Sequence, residues 1–70
     1  MPLAEAELDR EYDIREITSE DADLIKFLFS LGCYSGEKIT VLNRKKNNLV
    51  IFVKDARYNI DMDLAKAILI

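Results

Sequence analysis

Tyr12 and Ile14 flank a polar Asp13 in the alternation of a half-buried strand. Ile17 falls out of that period, so a first strand over residues 12–17 should end or bulge there. Thr18 or Ser19 then offers an oxygen to cap a helix, and Glu20, Asp21 and Asp23 put carboxylates in its first turn, where the helix dipole favours them. Gly32 suits the left-handed position that closes a helix. Together these signals predict a helix over 20–31, about three turns. Gly36 marks another turn, and residues 37–44 alternate again, with Ile39 and Val41 on one face. Lys45-Lys46-Asn47-Asn48 reads as a hairpin tip, because asparagine tolerates positive φ. The apolar run Leu49–Val53 is the returning strand, expected to be buried on both faces. Asp55-Ala56 can turn the chain into a strand near 57–61, and a brief helical turn over 63–66 leads to a last strand, 68–70. Several short strands and one helix predict a mainly β domain, a small barrel with a helix inserted after its first strand.

The helix carries more apolar surface than such a fold needs. Asp23, Lys26 and Ser30 fall on one narrow stripe, while Ala22, Leu24, Ile25, Phe27, Leu28, Phe29 and Leu31 fill most of the remaining girth. A helix laid on a small barrel buries about a third of its circumference. Leu24, Ile25 and Leu28 lie at the centre of the apolar arc and belong to the core. Phe27 borders the polar stripe and should be at least partly exposed. The surplus surface meets either another part of this chain or a partner.

The length, 70 residues, allows one domain spanning residues 1–70, close to the size where a single core is marginal. Half of the residues are hydrophobic, which excludes a disordered chain. Ten basic and 13 acidic side chains give a formal net charge of −3. Nine acids against three bases lie in residues 1–35, and seven bases against four acids in 36–70, a dipolar arrangement able to steer a charged partner. Glu5, Glu7, Asp9, Glu11 and Asp13 recur every second residue. Same-side neighbours on a strand stand roughly 6.5–7 Å apart, too far to hold one ion as a set. Residues 1–10 are therefore expected as an acidic lead-in, a solvated strand face or a mobile tail. No apolar run approaches the roughly 20 residues that cross a bilayer. The N-terminus lacks the basic and apolar regions of a signal peptide, and a lone cysteine forms no internal disulfide, so a cytosolic setting is expected.

Catalytic chemistry finds few residues to work with. Without histidine there is no ordinary base for a serine or cysteine nucleophile, and two glycines form no phosphate loop. One cysteine cannot supply a structural zinc cage. Cys33, between Gly32 and Tyr34, reads as a small buried hydrophobe rather than a metal or redox group. Arg44-Lys45-Lys46 forms a basic cluster at the predicted hairpin tip. Single-stranded nucleic acid binders usually add exposed aromatic platforms to such a cluster. Here the net charge is acidic and the six aromatics mostly fall where a core would use them, so nucleic acid is not the expected partner.

The run from Leu28 to Val41, with Leu31-Gly32, then Gly36 and an alternating strand, resembles the signature of the FeoA family. Leu64-Ala65-Lys66-Ala67-Ile68-Leu69-Ile70 is similar to that family's closing segment, with Ala65, Ile68 and Ile70 at matching positions, and Ile14 and Ile17 fit its first strand. The likeness spans residues 12–70. Departures fall in turns: Leu8-Asp9 where the family has Pro-Gly, Ser35 for a proline, Cys33 for a larger apolar residue, and no glycine at Lys54-Asp55-Ala56. The resemblance implies an SH3-like β-barrel with one inserted helix. It also implies a small, non-catalytic cytosolic accessory of the ferrous-iron transporter FeoB, without a cofactor and reaching the membrane only through that partner. It gives Phe27, Leu28, Arg44, Lys45 and Lys46 a use as partner-contact residues, although the helix pattern assigns Leu28 to the core. Similar domains close iron-dependent repressors, which leaves two alternatives. One is a regulatory domain binding a divalent cation through carboxylates and Cys33, and the other is a nucleic-acid-binding barrel. Self-association stays open.

Overall fold

The computed structural model describes residues 1–70. Two short strands, β1 (Glu11–Asp13) and β2 (Glu16–Ile17), lead to helix α1 (Ala22–Ser30). Three longer strands follow, β3 (Lys38–Arg44), β4 (Asn48–Val53) and β5 (Ala56–Asp61), and then helix α2 (Met62–Ala67) and strand β6 (Ile68–Leu69). Hydrogen bonding joins β1-β3-β4-β5 into one antiparallel sheet and β2-β6 into a second. The fold is mainly β, with α1 inserted as expected. Its four-stranded sheet does not close on itself: β1 and β5 are both edges, so the strand pairing is that of two sheets rather than of a closed barrel. The first strand breaks at Ile14-Arg15, earlier than its side-chain pattern suggests. Ile14 turns into the core there, and its N–H donates to Glu37 O at 2.8 Å.

The core consists of 14 buried residues, all apolar or cysteine. Ile39 and Val41 of β3, Leu49, Ile51 and Val53 of β4 and Ile60 of β5 form its sheet side. β4 is buried on one face only. Val50 is half-buried and Phe52 exposed, because no second layer covers the outer side of the sheet.

The helix cap also differs from expectation. Asp21 is the N-cap of α1, its Oδ1 accepting from the N–H groups of Asp23 and Leu24, while Ser19 Oγ accepts the Asp21 N–H. Both residues are competent caps, and the direction in which the chain enters the helix selects between them.

The acidic lead-in is part of the folded body. Leu3 and Ala6, three residues apart on a 3-10 turn (Leu3–Glu5), are both buried, and the five alternating acids do not share a strand face. Pro2 bridges to Leu69, Leu8 to Val41, and the Asp9 N–H donates to Val41 O at 2.8 Å. Arg44 completes the attachment. A bulge at Leu42 inserts an extra residue between the Val41–Ile51 and Asn43–Val50 pairs, so Arg44 pairs with the inward-facing Leu49. From there its Nε donates to Ala4 O at 3.1 Å, and its terminal nitrogen donates to Ala6 O. Arg44→Ala should therefore cost about 1.5–3 kcal/mol, the range for hydrogen bonds to a charged group. Faster amide exchange at Ala6 and Asp9 than at Ile51 would locate the loss in the lead-in, and uniform exchange would argue against this role.

Candidate protein-contact surface

The local sequence around Gly32 explains how the aromatic residues of α1 come to face outward. Gly32 has φ +94° and stands just past the Leu31 C-cap. The Gly32 N–H donates to Phe29 O and the Cys33 N–H to Leu28 O, both at 3.0 Å, the paired bonds of a Schellman ending. A Cβ on Gly32 would stand 2.6 Å from Lys54 Cγ, so that a side chain there would have to displace the Lys54 stem as well as adopt the positive φ. The motif brings Cys33 and Leu28 together inside, both fully buried.

With Leu28 turned inward, the residues on either side of it are directed to opposite flanks of the helix. Phe27 is 47% exposed and Phe29 42%. Phe29 meets Tyr34 across the glycine turn, ring centroids 5.3 Å apart and tilted by 35°, and Tyr34 is itself 47% exposed. Leu28 is the only fully buried side chain of α1; Leu24 is half-buried against the core and Ile25 is partly exposed. The surplus apolar surface of the helix is not covered by another part of the chain.

The structure sorts the sequence candidates. Phe27 is exposed, as its place beside the polar stripe requires. Leu28 has no accessible surface, so it is a core residue and not a contact. Arg44, though exposed, is engaged by the lead-in carbonyls, and the exposed Lys45 and Lys46 follow it in the β3–β4 turn. Phe29 and Tyr34 join the candidates. The signal for Phe29 in the sequence is the excess apolar girth of the helix; Tyr34, beyond the helix end, has no part in that pattern. Against the expectation that the aromatics mostly serve the core, Phe27, Phe29, Tyr34 and Phe52 are all exposed.

The domain also carries two shallow depressions. One, about 280 Å³, lies on the outer sheet face beside Phe52, among Glu11, Glu37, Lys38, Thr40, Lys54 and Asp55. Lys54 pairs there with Glu37 at 3.0 Å, and Lys38 pairs with Asp13, whose hydrogen bond raises the lysine's pKa. The other, about 340 Å³ and more open, lies between Thr18-Ser19-Leu24 and Asp63-Lys66-Ala67. In the second, the Thr18 hydroxyl donates to Glu16 and the Ser19 hydroxyl accepts the Asp21 N–H, so neither is bonded to Asp63 or Lys66. No three of the carboxylates and Cys33 converge into one group. Burial pushes the Cys33 thiol up to about 11, away from the thiolate that metals and electrophiles require. No helix is long and apolar enough to cross a membrane.

The family model described as the FeoA domain matches residues 1–70. The chain belongs to the FeoA family. Among solved structures, this FeoA-family chain is similar to an iron uptake regulatory protein (FeoA) with 25% identity and a TM-score of 0.87, covering 97% of this chain and 91% of that one. A zinc complex of FeoA from Stenotrophomonas maltophilia matches at 20% identity and TM-score 0.86, covering 99% of this chain and 87% of the other. It is described as a prokaryotic SH3 domain protein and a candidate activating factor for bacterial ferrous iron transport. A manganese-dependent transcriptional repressor matches at 17% identity and TM-score 0.89. This chain covers 97% of itself but only 39% of that repressor, a likeness of fold alone. No curated protein sequence matches it. Membership of the family links the chain to ferrous iron transport.

Proposed function

We propose that this domain is a non-catalytic accessory of ferrous iron uptake that docks on the cytosolic side of a FeoB-type transporter. The observation that carries the reading is the exposure of Phe27 and Phe29 on a helix whose apolar girth the domain itself does not cover, with the exposed Tyr34 just past the helix end. Aromatics are enriched at the energetic centres of protein interfaces. A rigid helix ending, fixed by the Gly32 turn, presents them with little ordering cost on binding. Lys45 and Lys46 serve as rim charges, acting on association rate more than on affinity. The domain works in the cytoplasm and reaches the membrane through its partner. An SH3-like domain without a catalytic set or a metal cage is suited to such contact, and the family's link to ferrous iron transport supplies the partner class.

The test is a binding titration against the soluble GTP-binding domain and against full-length FeoB of the same organism, with and without a GTP analogue. Saturable binding to either supports docking. The Phe27→Ser/Phe29→Ser double variant should weaken it by at least about tenfold, since truncating one interface hot spot costs about 2 kcal/mol or more. Absence of binding to both forms of the transporter would remove the reading.

A further inference from the structure

Strand β5 ends the four-stranded sheet, and its outer edge is open. The edge is six residues long, pairs with β4 without interruption from Ala56 to Asp61, and has neither a bulge nor a proline. Natural sheets usually shield such an edge with a covering segment, a bulge, a proline or a run of lysines.

The backbone groups on that edge follow from the register. Lys54 and Asp55 form a two-residue turn, with φ +51° and +61°, between the paired residues Val53 and Ala56. The pair that closes such a turn is hydrogen-bonded, and bonded and non-bonded pairs alternate along an antiparallel ladder. Ile51–Tyr58 and Leu49–Ile60 are therefore bonded pairs. The Met62 N–H donates to Asn47 O at 3.2 Å, the next bonded pair in the same alternation. Arg57, Asn59 and Asp61 consequently turn their backbone groups away from β4. The Asp61 carbonyl opens α2 as its N-cap. The N–H and C=O of Arg57 and Asn59 and the N–H of Asp61 face the open side, and no turn or loop backbone bond reaches them.

We propose that two copies of this chain associate by pairing β5 with β5, antiparallel about Asn59, so that the sheet continues from one copy into the other. The sequence of the edge selects the second copy as its occupant. Centred on Asn59, the stretch Arg57-Tyr58-Asn59-Ile60-Asp61 is complementary to itself. Arg57 opposes Asp61 of the second copy at both ends, Tyr58 opposes Ile60, and Asn59 exchanges both backbone bonds with its counterpart. Opposite charges and aromatic–β-branched pairs are favourable cross-strand neighbours. Registers that set Arg57 against Arg57, or Asp61 against Asp61, oppose like charges. Asp61 remains available for this pairing, because only its Oδ1 is engaged, accepting the Leu64 N–H at 2.9 Å. An interface made of one strand edge is below the usual size for a stable dimer, so the association is weak and concentration-dependent.

The test is sedimentation velocity over a concentration series, with amide hydrogen exchange followed by NMR. The sedimentation coefficient of the parent should rise toward that of a dimer before about 1 mM, a weak affinity. Where the dimer forms, the amides of Asn59 and Asp61 should gain protection, because each meets an outward carbonyl of the second copy, while those of Tyr58 and Ile60, already bonded to β4, stay unchanged. Arg57→Asp puts a carboxylate against Asp61 at both ends and should abolish the dimer. Asn59→Pro removes an outward N–H without taking a bond from β4, and should do the same. Circular dichroism checks that each variant is folded, and Arg57→Asp decides alone if the proline variant is not. A parent that stays monomeric, a dimer that survives in the folded variants, or protection that rises on Tyr58 and Ile60 instead would each overturn the proposal.

Discussion

Leu28→Ala should leave little folded protein at 37 °C, whereas Phe27→Ser, one residue away, should shift the melting temperature by only a few degrees. The contrast follows from one helical step of about 100°. Leu28 is fully buried and packs beside Cys33 at the Schellman ending, whereas Phe27 is 47% exposed. Truncating a buried leucine to alanine costs about 2–5 kcal/mol, the lost transfer free energy plus the cavity left behind. A core in a domain this small rarely supplies more than about 3–5 kcal/mol of net stability. The leucine variant therefore loses most or all of its margin. Substitutions on the surface usually stay within about 0.5 kcal/mol, which for a domain of this size is a few degrees. Urea and thermal melts followed by circular dichroism measure both. Equal losses in the two variants would show that the Phe27 ring is a packing element of the native state, and the docking reading would then lose its anchor.

The same pair of residues shows what the sequence can and cannot say about the contact surface. The angular arrangement around the helix placed Phe27 at the edge of the apolar arc and Leu28 at its centre, and the structure agrees on both. The family likeness offered Leu28 as a contact, which its burial excludes. Phe29 and Tyr34 were harder to see, because their pairing depends on how the chain doubles back at Gly32. The glycine itself was legible as a helix ending.

Long-range choices were less legible than local ones. The alternation of Ile39 and Val41 located the inward face of β3, but the bulge at Leu42 exists only relative to β4, and it alone turns Arg44 toward the lead-in. With Arg44 read as the start of a basic cluster, residues 1–10 had nothing to hold them. Leu3 and Ala6 do carry a signal, the spacing of three that puts two apolar side chains on one side of a 3-10 turn. The alternation of five acids concealed it. The apolar run in β4 was read as buried on both faces because composition does not report whether a second layer exists. Phe52 is exposed because none does.

Raising the pH from 9 to 11 should destabilise the parent by about 2 kcal/mol more than it destabilises Cys33→Ala, through the burial of a single thiol. In the unfolded chain the thiol titrates near 9.0, and in the native state burial raises it to about 11. Between those values the folded protein keeps the proton and the unfolded chain has lost it, so each unit of pH favours unfolding by about 1.4 kcal/mol. The contribution is fully present below pH 9, falls through the interval between the two values and levels off above 11. Every other group is the same in both proteins, so the difference between the two urea-midpoint curves isolates Cys33. Alanine leaves a small cavity, which lowers the variant's curve by a constant amount and leaves its slope unaffected. Alkylation by iodoacetamide at pH 8 should accordingly be slow in the folded parent and fast in urea, since a buried neutral thiol reacts only when the Schellman ending opens. A flat difference curve, or fast alkylation of the folded protein, would mean that water reaches the sulfur in the native state. The burial of Cys33 would then not hold in solution, and the Schellman ending in which its N–H bonds to Leu28 O would be open to water.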